Sequence, residues 1–183
     1  MKTITGTENG HTRRKALRRA VRRCEVLLLA IAVLLTAGGL QANMASAAPG
    51  DFVNKTTTNT GAVPDSSVAG VFVIGSTVYA ATYSGVSIST DGGATFTNKT
   101  VANTSGGLAS DTVYGVYAID GSPDTIYAAT DGGLSISTDG GTTFTNKTTS
   151  NGLGSNNVWG VYVVGSTIYA STDGGMSIST NGG

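Results

Sequence analysis

From Ala48 to Gly183 the chain has no Glu, no Arg, no His and no Cys, and its only Leu residues are Leu108, Leu134 and Leu153. Without Cys, disulfides and thiol chemistry are closed to this region. Without His there is no standard triad or proton shuttle, and a carboxylate pair for glycoside hydrolysis would have to be two Asp. Strong helix formers are scarce while Thr, Ser, Val, Ile, Tyr and Gly dominate, which predicts a region that is nearly all β.

The missing residue types are concentrated before Ala48. Met1 to Glu25 carries eight Lys or Arg, Val26 to Leu40 is a 15-residue apolar run, and Ala45-Ser46-Ala47 has a small-x-small pattern. Residues 1–47 therefore read as a signal peptide removed on export. A retained span would need about 20 apolar residues. Arg13-Arg14 has some resemblance to a twin-arginine motif, and the export route is left open. The remainder, 48–183, has three Lys and nine Asp, a net charge of −6. That charge disfavours nucleic acid or an anionic membrane as partner. The expected location is periplasmic, secreted or cell-surface, with no membrane association once the signal is cleaved.

What fills 48–183 is a repeat. Val68-Ala-Gly-Val-Phe, Val113-Tyr-Gly-Val-Tyr and Val158-Trp-Gly-Val-Tyr begin three copies 45 residues apart. Each continues through Thr77-Val-Tyr-Ala-Ala-Thr, Thr125-Ile-Tyr-Ala-Ala-Thr or Thr167-Ile-Tyr-Ala-Ser-Thr. Next comes Gly85-Val-Ser-Ile-Ser-Thr, Gly133-Leu-Ser-Ile-Ser-Thr or Gly175-Met-Ser-Ile-Ser-Thr. The fourth phrase is Thr95-Phe-Thr-Asn-Lys-Thr or Thr143-Phe-Thr-Asn-Lys-Thr, and Phe52-Val-Asn-Lys-Thr matches its tail. Copy two has three extra residues around Asp120 to Asp124, where Pro and Gly mark a loop.

Four short β phrases per unit of this length are the signature of a propeller blade. The predicted fold is all-β, with blades of four antiparallel strands and about three blades in the chain. A lone fourth strand is placed at 52–56, blades at 68–100 and 113–148, and a partial blade at 158–183. The first phrase is apolar on both sides, as expected for a strand between neighbouring blades. The third alternates Leu134 and Ile136 with Ser135 and Ser137 and reads as half-buried. One Lys per copy, Lys55, Lys99 and Lys147, blunts the outer edge. Closed propellers have about 4 to 8 blades. The sequence is therefore expected to be a fragment of a longer array, or else to complete a ring with further copies as a homo-oligomer.

Between the third and fourth phrases stand Ser89-Thr-Asp91-Gly-Gly93-Ala-Thr95-Phe96 and Ser137-Thr-Asp139-Gly-Gly141-Thr-Thr143-Phe144. Asp-Gly between two β phrases predicts a hairpin turn, because Gly supplies positive φ without steric cost. The carboxylate can accept N–H bonds inside its own turn, and the Phe ring can tuck beneath it as an anchor. The Asp is thus expected to be a structural staple. One carboxylate per turn falls short of the several oxygens a calcium ion needs, so neither metal nor cofactor is expected.

The two octets resemble the Asp-box, Ser-x-Asp-x-Gly-x-Thr-(Trp or Phe), of BNR-type propellers, found in sialidases, sortilin-like receptors and xyloglucanases. The resemblance covers roughly 52–183 and implies the fold, not a function. Ser179-Thr-Asn181-Gly-Gly183 departs from it, with Asn in place of Asp. The sialidase members imply an Arg cluster, a Tyr nucleophile and a Glu, and 48–183 supplies neither Arg nor Glu. Val113 to Leu134 is also similar, more loosely, to propeller repeats of periplasmic sensor domains in two-component regulators.

The expected function is an exported, non-catalytic binding module for carbohydrate or protein, with no catalytic residue assigned. The alternatives are a fragment of an Asp-box glycoside hydrolase and a periplasmic sensor propeller. In a four-stranded meander, turns one–two and three–four project from one end, and turns two–three and the inter-blade connections from the other. The second end gathers Asp111, Tyr114, Asp131, Asn156, Trp159 and Asp173, the candidate ligand face. Aromatic rings beside Asp and Asn suit stacking on sugars, although Tyr114 and Trp159 read first as blade-packing residues.

Overall fold

The computed structural model describes residues 53–58 and 62–183, so the predicted signal peptide and Phe52 lie outside it. Among the described residues eleven strands form three antiparallel sheets. The first sheet is β1 (Val68–Ile74), β2 (Thr77–Thr82), β3 (Gly85–Ser89) and β4 (Thr97–Lys99). The second is β5 (Val113–Ile119), β6 (Thr125–Thr130), β7 (Gly133–Ser137) and β8 (Thr145–Lys147). The third holds β9 (Val158–Val164), β10 (Thr167–Thr172) and β11 (Gly175–Ser179). Neighbours in the chain are neighbours in each sheet, so every sheet is a meander. Among the described residues the single helical segment is a 3₁₀ turn at Thr149–Asn151, capped by Thr148, and no helix is long and apolar enough to cross a membrane.

β-branched and aromatic residues favour these pleats, and the same pairs recur in every sheet. Phe72 lies opposite Tyr79, Tyr117 opposite Tyr127 and Tyr162 opposite Tyr169. The sheets then stack face to face. Tyr79, Val86, Leu108, Ile126 and Phe144 join the first sheet to the second. Tyr127, Leu134, Val158 and Ile168 join the second to the third. Ala128 and Ala129, on opposite faces of β6, are both fully buried, so the middle sheet is covered on both sides. The Tyr79 hydroxyl reaches across to donate to the Asp124 carboxylate, and burial followed by that bond raises its pKa.

A column of glycines lies where the first strands of neighbouring blades come close. A Cβ on Gly70 would stand 3.6 Å from Gly115 Cα, and one on Gly115 would stand 3.4 Å from Gly160 Cα. The pairing of β1 with β2 and of β5 with β6 shifts register there, between Val68 and Gly70 and between Val113 and Gly115. Beside the column Phe72, Tyr117 and Tyr162 form a ring row, with centroids 4.6 and 5.1 Å apart.

Three expectations are corrected. In the first two blades strand three is buried on both faces, not half-buried: Ser87, Ser89, Ser135 and Ser137 are all buried, whereas β11 is largely exposed. Its hydroxyls are internally paired; Ser135 Oγ donates to Asn146 Oδ1 at 2.7 Å and accepts from Ala109 N–H at 3.0 Å. The fourth strands start later than predicted, because the ladder ends at Ile88 with Thr97 and at Ile136 with Thr145. Phe96 and Phe144 therefore belong to the preceding turns. Finally, residues 53–56 form no strand. Among the described residues the third sheet has three strands, and its last strand β11 pairs with β10 alone.

Candidate functional site

Backbone bonds fix which turns share an end. Gly92 N–H donates to Ser76 O at 2.9 Å, Gly140 to Asp124 O at 3.2 Å and Gly182 to Ser166 O at 2.8 Å, tying turns one–two and three–four together. At the other end Asp131 N–H donates to Thr112 O at 3.3 Å and Asp173 N–H to Asn157 O at 3.2 Å. Turns two–three thus sit beside the inter-blade connections, as the meander requires.

At the first end lie the Ser-x-Asp-x-Gly-x-Thr-Phe turns. Each is wider than a two-residue hairpin, and both glycines are left-handed: φ is 71° and 85° at Gly92 and Gly93, 69° and 85° at Gly140 and Gly141. In the second turn the Asp139 carboxylate accepts from Thr143 N–H (2.9 Å), Thr143 Oγ1 (2.6 Å), Thr142 N–H (3.0 Å) and Ser137 Oγ (2.8 Å). These bonds, Thr143 foremost, pull its pKa down to about 2. Asp91 is held by Thr95 and Ser89 in the same way, and its pKa is lowered as well. The buried partner is the serine: Ser137 Oγ accepts Gly141 N–H, and Ser89 Oγ accepts Gly93 N–H, both at 2.8 Å. In the third turn Ser179 Oγ donates to Asn181 Oδ1 at 2.7 Å and accepts from Gly183 N–H at 2.9 Å. Among the described residues no three His, Cys, Asp or Glu side chains converge on one point.

The opposite end carries a second aromatic row. Tyr114 lies 4.5 Å from Trp159, tilted by 36°, and 6.2 Å from Tyr83 at a nearly perpendicular 77°. Tyr83 and Trp159 are about half exposed, while Tyr114 between them is less so. Trp159 Nε1 donates to Asp173 Oδ1 at 2.7 Å, and Asn157 Nδ2 donates to Asp173 Oδ2 at 2.8 Å. Those two bonds, Trp159 first, hold the Asp173 carboxyl below its usual range. Asn157 Oδ1 is buried and has no hydrogen-bond partner among the described residues.

Of the candidate face, then, the structure brings together Tyr114, Trp159 and Asp173. Asp131 occupies the turn equivalent to that of Asp173, one blade back. Asp111 and Asn156 are engaged within their own connections, accepting from Val101 N–H at 2.7 Å and Thr149 N–H at 2.8 Å. Tyr83 and Asn157 were missed. Tyr83 stands where the other copies have Asp131 and Asp173, so comparison of the two–three turns carried the signal, masked by the change of residue type.

No family model matches the chain, and neither does any curated protein. Solved structures do. The extracellular domain of a hybrid two component system from B. thetaiotaomicron aligns over 69% of this chain with a TM-score of 0.56 and 17% identity. An ancestral GH74 enzyme aligns over 68% with a TM-score of 0.50 and 22% identity. The chain spans 17% and 18% of the length of those two proteins. Both are β-propellers, and the three sheets described above are β-propeller blades.

Proposed function

We propose that the chain is an exported, non-catalytic recognition propeller of the Asp-box kind, and that it binds carbohydrate at the end carrying Tyr83, Tyr114 and Trp159. The observation that carries this reading is the exposed ring row with Asp173 pinned beside it. Sugar rings stack on aromatic faces, while Asp173 has acceptor capacity left for hydroxyl groups. The Asp-box reading is supported by the shared Ser, Asp, Gly and Thr bonding in two turns. Export is supported by the charged, apolar and small-residue order of residues 1–47, and a similarity to an extracellular domain agrees with it.

The chain has one Trp, so intrinsic fluorescence reports on this site directly. Soluble polysaccharides are expected to shift or quench Trp159 emission, and Trp159→Ala, read by titration calorimetry, to weaken binding roughly tenfold at unchanged melting temperature. Affinity that survives Trp159→Ala, or the absence of any glycan response, rejects this reading. Turnover of the bound glycan would favour the glycoside hydrolase alternative.

A further inference from the structure

The ladder between first and second strands shifts register at the same place in every blade, leaving Ala69, Tyr114 and Trp159 as the extra, bulged residues. A bulge re-aims the side chain it carries. In the third blade the ring so placed is pinned, because Trp159 donates to Asp173 of its own two–three turn. Val113 pairs with Thr130 as Val158 pairs with Thr172, so Asp131 stands to Tyr114 as Asp173 stands to Trp159. Here the pair is uncommitted: neither the Tyr114 hydroxyl nor the exposed Asp131 carboxylate has a hydrogen-bond partner among the described residues. Tyr114 instead meets Tyr83 of the preceding blade, which is 53% exposed and turned by 77° to it. The two rings make a corner between the first and second blades, with a carboxylate beside it.

The charge around this corner has one sign. The Asp65 carboxylate accepts from Ser84 Oγ at 2.9 Å, next to Tyr83, and Asp111, Asp131 and Asp173 lie in the connections and turns of the same end. Within 68–183 the only cationic side chains are Lys99 and Lys147. Both lean away: Lys99 Cε is 3.6 Å from where a Cβ on Gly141 would stand, and Lys147 Cε is 3.7 Å from that of Gly183, in three–four turns at the opposite end. An acidic sugar would meet four carboxylates with no counter-charge. A neutral sugar would gain from the rings alone. A primary ammonium gains from both, since ring faces attract it through their quadrupole and a carboxylate adds a charge-assisted hydrogen bond.

We propose that the Tyr83–Tyr114 corner and Asp131 select sugars that carry a free amine, of the glucosamine type, over N-acetylated or acidic ones. This rests on the carbohydrate reading above and narrows it. The ammonium lies against the faces of Tyr83 and Tyr114 and pairs with the Asp131 carboxylate, while the sugar ring follows the aromatic row toward Trp159.

The test compares a glucosamine tetramer with its N-acetylated counterpart by titration calorimetry at about pH 6, where a primary amine is protonated. The free-amine tetramer is expected to bind at least about tenfold tighter at low ionic strength, and added salt to narrow that ratio. Asp131→Asn and Tyr83→Leu should each lower the ratio at least about threefold, whereas Tyr83→Phe, which keeps the ring face, should retain it. Asp120→Asn removes the same charge from an exposed site at the opposite end and should leave the ratio unchanged. Equal or tighter binding of the acetylated tetramer overturns the amine preference. So does a ratio indifferent to Tyr83→Leu, or one lowered as much by Asp120→Asn as by Asp131→Asn, which would mark attraction to net charge alone. In those cases the carbohydrate reading stands. A polysaccharide that quenches Trp159 while neither tetramer binds likewise overturns the preference alone, and silence from every glycan removes both readings.

Discussion

Ser137 Oγ accepts a buried N–H from Gly141 and donates to a carboxylate that stands in water, so the two polar members of the turn differ in what their loss costs. Ser137→Ala strands a donor that solvent does not reach and is expected to cost about 1–3 kcal/mol, read from urea denaturation. Asp139 titrates lower in the folded chain than in the unfolded one, so its contribution is complete above roughly pH 4 and is lost as the pH falls toward about 2. The melting-temperature gap between the parent and Asp139→Asn should accordingly narrow on acidification; a gap that stays constant would show that the carboxylate charge is irrelevant. Asn181, which keeps the bond from Ser179 without the charge, indicates that Asn preserves part of the turn. That the Asp accepts bonds inside its own turn was legible in the sequence, because a short acceptor beside glycines is suited to that. The serines were not: alternation with Leu134 and Ile136 reads as a solvated face, and nothing local tells that the connection from the previous blade lies over Ser135.

At the scale of elements, Phe144 does more than anchor its own turn. Its ring lies against residues of both the first and second blades, so Phe144→Ala is expected to cost about 3–5 kcal/mol and to lower a single cooperative transition. A separate early transition in the second blade alone, seen by differential scanning calorimetry, would show that the blades are not coupled through it. The strands themselves were legible phrase by phrase, since three near-copies of each phrase share one pattern of β-branched and aromatic residues. Their ends were less so. The fourth strand begins at Thr97 or Thr145 because ladder pairing, which the sequence does not display, stops there. The aromatic row was half legible: Tyr114 and Trp159 follow the connections directly, but Tyr83 belongs to the turn of a different blade, and only stacking of the sheets brings it to Tyr114.

Across the whole molecule, stability is shared between neighbours, as in other repeat architectures. Among the described residues the middle blade has two partners and each of the other two has one. Hydrogen exchange is therefore expected to be slowest in β6 and β7 and fastest in β1 and β11, and equal protection along the chain would contradict nearest-neighbour coupling. The architecture was legible because the repeat announces its own period, whereas the column formed by Gly70, Gly115 and Gly160 emerges only once the blades are stacked. The glycine column carries a last consequence. Gly115 leaves 3.3 Å between the position its Cβ would take and Trp159 O, so at this column the first strands of neighbouring blades meet at little more than backbone contact. A residue with no side chain thereby sets how closely one blade can approach the next.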